Sequence, residues 1–419
     1  MSARDIEFIG YDLGHGETAL GRAYGRSMRE PEILEFRGEK SFVTAAARVG
    51  RDIKIGTEAV NIAAMGDAPD VWVKFKGRDL TDASVKTPTQ FFTKTLMATL
   101  TADKKIQGPK KSQFVVGCPS GWSLSERASY KSVFEDAGLK FVRIVPESRA
   151  ALMTALEQGY LSLEAARSSV LIVDIGSSTT DFTYCYDLEA EDVGHNILGS
   201  GLLDAEIFDL NLARQTDKAQ IDRLITKYPH YRPIMEYWCR QAKEQYFNGE
   251  GAPVEMIKRL PVGGGVYFEI KMDEGDARDI LSRPLEALNG YTWPDAFNYA
   301  LRETINMLGG RDPETVLLTG GASRLPLVGP ACEKTFPKAH VVRGAEPEFA
   351  IARGLAWLGR FEYLHAGFKN AVKELMSSEG AIQTKARAAS LDLGSRLSPV
   401  LVDALTEACI LPTFRNWRS

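Results

Sequence analysis

The chain is 419 residues long and 44% hydrophobic, with a formal net charge of −4 at pH 7. That length supplies more apolar surface than one core needs, so two lobes are expected, and the slight acid excess argues against a role built mainly on nucleic-acid backbones or anionic membranes. Five cysteines (Cys118, Cys185, Cys239, Cys332 and Cys409) are scattered without CxxC spacing. This pattern argues against a disulfide framework or zinc site and fits reduced thiols in a cytoplasmic protein.

The first predicted element is an apolar strand, Ile6 to Tyr11, that runs into Asp12 and then a turn containing Gly14 and Gly16. Thr18, Ala19 and Leu20 begin a returning strand. Further along, Val116 to Pro119 reads as a strand, followed by a helix carrying Glu126 and Arg127 and then by Arg143 to Ala151 (RIVPESRAA). At Ser169 the design of the N-terminus returns. Val170, Leu171, Ile172 and Val173 have the pattern of a strand buried on both faces, and it ends in Asp174, Gly176, a hydroxyl-rich turn and Asp181. A strand, an acid and a small-residue turn let backbone N–H groups cradle phosphate oxygens while carboxylates hold a hydrated metal. One such unit could be an ordinary hairpin, but two suggest related lobes facing each other across a nucleotide.

Phe208 and Leu212 form a helical apolar stripe that predicts core. Gly263, Gly264 and Gly265, between LPV and VYFEI, predict a hairpin turn and not a phosphate site, because no helix follows. Thr315 to Thr319 is a third buried strand, delivering Gly320 and Gly321 to a turn that a flat purine or ribose can approach closely. Phe368, Val372 and Leu375, then Leu397, Leu401, Leu405 and Cys409, mark two late helical stripes, expected to dock on the second lobe, with a partner-binding or self-assembly helix as the alternative. No apolar run approaches the ~20 residues needed to span a bilayer, and the opening residues lack the basic-then-apolar pattern of a signal peptide.

Together these segments resemble the actin and 70-kDa heat-shock chaperone ATPase superfamily, with the chaperone branch closest. Asp12 and Gly14 match its phosphate-1 loop; Asp174, Gly176, Thr179 and Asp181 its phosphate-2 loop; and Gly320, Gly321, Ser323 and Arg324 its adenosine motif. Glu147 falls where the family has a glutamate that positions water, and the LGSGLLD stretch, with Gly199, Ser200, Gly201 and Asp204, resembles a turn that touches the phosphates. Glu348 to Gly354 is similar to the second connecting helix. The chaperones' catalytic lysine maps to Lys74 or Lys76, between which the sequence does not choose. On the adenosine-clamping helix only Lys243 matches; Arg240 and Glu244 exchange the family's outer charges. His15 and Gly16 replace two threonines, and Ser177 and Ser178 replace glycines.

The resemblance implies a two-lobed α/β fold of duplicated ribonuclease-H-like domains: lobe I at 1–168 (outer part about 36–108), lobe II at 169–360 (outer part about 205–310) and a helical extension at 361–419. It implies ATP or ADP and Mg²⁺ as ligands, with Asp12 and Asp174 holding the ion through water. Glu147 and Asp181 would bias the attacking water. Thr179 and the backbone from Gly14 to Gly16 and from Gly176 to Ser178 would bind phosphate. The expected activity is a slow ATPase switch acting on a separate partner protein, without the family's peptide-binding domain. A nucleotide-dependent actin-like filament and a small-metabolite kinase are the alternatives.

Overall fold

A computed structural model describes residues 5–25, 27, 29–66, 70–261 and 265–377. The chain groups into residues 1–359 and residues 360–419; of the latter group, only the continuation of one helix is described.

The first half opens with an antiparallel hairpin, β1 (Glu7–Leu13) and β2 (Glu17–Tyr24). Short strands β3 (Glu32–Ile33) and β4 (Ser41–Val43) both pair with β2. An inserted three-stranded sheet follows, made of β5 (Ala45–Val49), β6 (Asp52–Ile55) and β7 (Asp70–Val73), with α1 (Thr57–Met65) and α2 (Ala83–Ala102). The chain then returns to the main sheet as β8 (Gln113–Cys118), α3 (Leu124–Asp136), β9 (Phe141–Pro146), α4 (Glu147–Glu157) and α5 (Leu163–Arg167). A reciprocal cap starts α3, in which the Ser123 hydroxyl accepts the Glu126 N–H and the Glu126 carboxylate accepts the Ser123 N–H.

The second half repeats the plan. It starts with β10 (Ser169–Ile175), β11 (Thr180–Tyr186) and β12 (Glu189–Asn196), then inserts α6 (Gly201–Arg214), α7 (Lys218–Lys227), α8 (Tyr231–Asn248), the hairpin β13 (Val254–Leu260) with β14 (Val266–Met272), α9 (Glu274–Ser282) and α10 (Trp293–Leu308). It closes with β15 (Thr315–Thr319), α11 (Val328–Thr335), β16 (His340–Arg343) and α12 (Ala350–Ser377).

The path of one sheet is β3-β2-β1-β8-β9 and that of the other is β12-β11-β10-β15-β16. Directions agree strand for strand. The pairs β1/β2 and β10/β11 are antiparallel, and β1/β8, β8/β9, β10/β15 and β15/β16 are parallel. The chain therefore contains the same α/β unit twice, and the two acid-tipped turns occupy equivalent places in it.

Glycines set how closely the halves meet. A side chain on Gly10 or Gly21 would run into the Ala352 carbonyl at the start of α12, and one on Gly354 into the Ala150 carbonyl of α4. The two helices that follow β9 and β16 thus touch backbone to backbone. Apolar clustering does not respect the sequence boundary, however. Val43, Ala45, Ala47, Ala59, Val60 and Ala63 share a cluster with Phe208, Tyr237 and Trp238, because α1 packs on α8. Residues of the expected outer part at 36–108 therefore share a core with α8, and β4 within that range pairs with β2 of the main sheet.

The apolar stripe at Phe208 and Leu212 is core, as its spacing predicts. β13 and β14 do form a hairpin, with Leu260 opposite Val266; Gly263 and Gly264 lie outside the described residues. Cys118, Cys185, Cys239 and Cys332 are buried free thiols. Phe368, Val372 and Leu375 fall within α12 at positions whose side chains are not described, and Leu397, Leu401, Leu405 and Cys409 lie outside the described residues. No helix among the described residues is long and apolar enough to cross a membrane.

Candidate functional site

Between the equivalent sheets lies a cleft of ≈ 670 Å³ whose lining includes both acid-tipped turns, from Asp12 to Gly16 and from Asp174 to Thr179, together with Asp181. At the penultimate position of β10, Asp174 lies directly opposite Asp181 on β11. Like charges facing each other across a hairpin repel, so the pair is favourable only where something positive faces it. Burial pushes the Asp174 carboxyl well above its ordinary range, and Glu147, Asp181 and Asp12 push it further. Asp12 is raised to about 7 by burial and by Glu147, against the opposing pull of Lys76. Carboxylates gathered from both halves at a shared cleft are a donor set with surplus negative charge, which fits a hydrated divalent cation. Among the described residues no three His, Cys, Asp or Glu side chains are grouped to grip a bare ion.

Of the two candidate lysines, Lys76 is the one that lines the cleft. Its Nζ lies 2.9 Å from Glu147 Oε1, inside the cleft. Lys74 instead pairs with Glu236 of α8 at 2.8 Å and is not part of the cleft lining, so its candidacy as the catalytic lysine is withdrawn. The cause is local: Lys74 follows the end of β7 with φ at 55°, which breaks the alternation that would put both lysines on one face. Glu147 itself begins α4, directly after β9.

Both turns are braced from behind. Thr44, whose hydroxyl is 3.0 Å from that of Thr18, donates its side chain to the Gly14 carbonyl and its N–H to the Gly16 carbonyl. In the second turn the Gly176 N–H donates to the Thr179 carbonyl at 2.9 Å, and the Thr179 hydroxyl donates to Asp181 at 3.0 Å. His15 Nδ1 is 2.9 Å from the Lys76 carbonyl, which can only accept, so Nδ1 carries the proton. Burial lowers the pKa of this imidazole, leaving a neutral ring with Nε2 as an acceptor at the cleft wall.

The turn at Gly199–Gly201, Lys243 and Arg240 all have partners within the protein, and Ser200, Lys243 and Arg240 also line the cleft. The N–H groups of Ser200 and Gly201 donate to the carbonyls of Gly176 and Ser177, at 3.0 and 2.8 Å, and the Gly199 carbonyl accepts from Trp293 at 3.2 Å. This turn therefore supports the phosphate-2 loop instead of offering those N–H groups to a ligand. Lys243 is buried, 2.5 Å from Asp204, and donates to the Ser200 carbonyl at 3.0 Å, which makes it part of the same support. Arg240 reaches across to Glu17 on β2, at 2.9 Å, and also bonds Glu244 at 2.8 Å.

On the far wall, β15 delivers Gly320 with φ at 78°, where a Cβ would stand 2.7 Å from Asp174 Oδ1. Only glycine lets this turn approach the acid so closely. Gly321 and Arg324 line the cleft, and Arg324 is held by Glu348 at 3.0 Å. Ser323, expected with the adenosine motif, is instead fully buried and not part of the cleft lining, and its hydroxyl has no hydrogen-bond partner among the described residues. Glu17 and Thr44 escaped the sequence reading. A lone acid after a glycine turn reads as a solvated charge, and no local pattern marks a threonine that acts on a turn about 30 residues away.

A family profile described as Hsp70 protein matches residues 44–259, half of the chain. The chain belongs to the Hsp70 family. The chaperone protein DnaK of Mycoplasmopsis synoviae is 24% identical over 373 residues, covering 84% of this chain and 58% of that protein. DnaK of Mycoplasmoides gallisepticum is 24% identical over 86% of the chain and 60% of its own length. The heat shock cognate HSP70 protein of Trypanosoma brucei brucei is 21% identical, over 83% and 55%. This Hsp70-family chain thus spans somewhat over half the length of these curated relatives. Its duplicated sheets are those of the two-lobed, actin-like ATPase fold.

Proposed function

We propose that this chain is an Hsp70-like ATP switch of the cytoplasm. It binds ATP with Mg²⁺ in the cleft and hydrolyses it slowly, and the movement of lobes 1–168 and 169–360 acts on a separate partner protein. One observation carries the reading: Asp12 and Asp174 stand near the ends of equivalent strands of a duplicated unit and enter one cleft, where burial and neighbouring carboxylates push each toward neutrality against the pull of Lys76.

ATP hydrolysis asks a protein for positioning and for charge placed where charge develops, with little covalent chemistry. Magnesium supplies charge neutralisation while keeping several of its own waters, and Asp12 and Asp174 would hold those waters. Glu147, fixed by Lys76, and Asp181, fixed by Thr179, would accept hydrogen bonds from the attacking water and orient it. The Lys76 ammonium would face the oxygens on which charge grows. The Gly14–Gly16 backbone with Ser177, Ser178 and Thr179 would cradle phosphate. Gly320, Gly321 and Arg324 would receive the nucleoside. Neutral His15, standing where relatives carry a hydroxyl, supports a slow rate.

Single-turnover hydrolysis of ATP by the full chain, with Mg²⁺ and no acceptor, tests the reading. Slow phosphate release is expected, reduced about 100-fold by Lys76→Ala, as for the loss of one preorganised charge donor. Lys74→Ala should stay within about twofold, since its partly exposed pair is worth little. Turnover that requires an added sugar or acid, or an ATP-driven rise in light scattering from growing polymer, would overturn the proposal.

A further inference from the structure

Arg240 is a cation of the cleft whose contacts lie in both halves of the fold. It sits on α8, where its Nη2 is 2.9 Å from Glu17 Oε2 on β2 and its Nε is 2.8 Å from Glu244 Oε1 one turn along the helix. Its third nitrogen, Nη1, points at the turn tips. A Cβ placed on Gly16 would stand 2.5 Å from Nη1 and 2.8 Å from the Ser177 hydroxyl, so the guanidinium wedges between the phosphate-1 and phosphate-2 turns. The side chain is only 15% exposed.

By its position on the clamping helix, Arg240 would be expected beside the nucleoside; the geometry puts its head at the phosphate turns. Lys243, one turn further along, is occupied behind the second turn by Asp204 and the Ser200 carbonyl. Arg240 is held differently. Glu17 also accepts the Ser41 hydroxyl at 2.6 Å, so it keeps a hydrogen bond if the guanidinium turns away. Burial raises the pKa of Glu17 and makes its charged form costly, which weakens its claim on the arginine relative to a dianionic phosphate. The planar fork of a guanidinium matches phosphate oxygens in pairs, in a way that an ammonium does not.

We infer that Arg240 is a phosphate-binding residue. Lobe II supplies it to the di- or triphosphate of the bound nucleotide, and it exchanges Glu17 for phosphate oxygens when the nucleotide enters. The inference rests on the nucleotide reading above, and it adds an arginine whose loss is felt by nucleotides and not by nucleosides. Glu17 becomes the residue that competes with phosphate for this arginine, and the Arg240–Glu17 contact an interlobe clasp that phosphate opens.

Calorimetric titration of the full chain with Mg–ADP and with adenosine, for wild type, Arg240→Ala and Glu17→Gln, tests this. Arg240→Ala is expected to weaken Mg–ADP by about 10- to 100-fold, the range for a charge-assisted pair, and to leave adenosine within about twofold. Glu17→Gln, which removes the competing charge but keeps a similar shape, is expected to tighten Mg–ADP and leave adenosine unchanged. If Arg240→Ala binds Mg–ADP as tightly as wild type or tighter, the arginine is only a clasp and the inference fails. An equal loss for adenosine also overturns it, as does a Glu17→Gln chain that binds Mg–ADP more weakly than wild type. Should the wild-type chain bind no Mg–ADP at all, the nucleotide reading falls first and this inference falls with it.

Discussion

Asp12 is where the chemistry of the cleft can be read as stability. Burial, aided by Glu147 and opposed by Lys76, raises its pKa from 3.8 to about 7. Between those values the folded chain keeps a proton that the unfolded chain has released, so stability falls as pH rises through that window. Above it the carboxylate is charged in both states, and the fold bears the full cost unless a cation faces the group. Asp12→Asn is therefore expected to raise the Tm at pH 8 without Mg²⁺ by a few degrees, on the order of 1–2 kcal/mol, with the gain vanishing near pH 4. Added Mg²⁺ with ADP should stabilise wild type more at pH 8 than at pH 6. Melting curves at those pH values decide the matter: an Asn variant no more stable than wild type at pH 8 would mean that Asp12 is not held desolvated. Residue types at the turns were legible in the sequence because Asp–x–Gly after an apolar run occurs twice. The choice between Lys74 and Lys76 was not, because it depends on a positive φ that no side-chain pattern announces.

Among the elements, the crossing of α4 and α12 matters most for movement. Their contact at Gly354 and Ala150 has no side chain between the backbones, and Gly10 and Gly21 admit the same stretch of α12 against β1 and β2. Backbone cannot yield as a rotamer can, so Gly354→Val is expected to cost about 3 kcal/mol or more, at or beyond the upper end for overpacking. Chemical denaturation of the variant tests this, and a cost below about 1 kcal/mol would show that the helices can part locally. The buried strands were readable as short apolar runs, and the repeat of the hairpin pointed to a duplication that the matched strand orders complete. The boundaries of the inserted parts were harder to read. Periodicity reports which face of α1 is apolar but not that the face meets α8, more than 160 residues away, so the shared core could not be read from the sequence.

At the scale of the molecule, residues 1–359 present two copies of one sheet plan, joined by the apolar packing of α1 on α8, by the backbone contact of α4 with α12 and by ion pairs. Lys74–Glu236 and Arg240–Glu17 tie the first half to α8, while Asp12, Asp174 and Glu147 gather around Lys76, with Asp181 beside Asp174. Such a cleft gains from a ligand that brings both cation and polyanion, and the gain appears only when both halves contribute. The most direct measurement is calorimetry of ADP binding to the full chain, with and without Mg²⁺, for wild type, Asp12→Asn and Asp174→Asn. We predict Mg²⁺-dependent binding in wild type, at least a tenfold loss of that dependence in each variant, and adenosine affinity little changed throughout. ADP affinity indifferent to Mg²⁺ and to both substitutions would contradict the claim that the two acids act together on one magnesium–nucleotide complex.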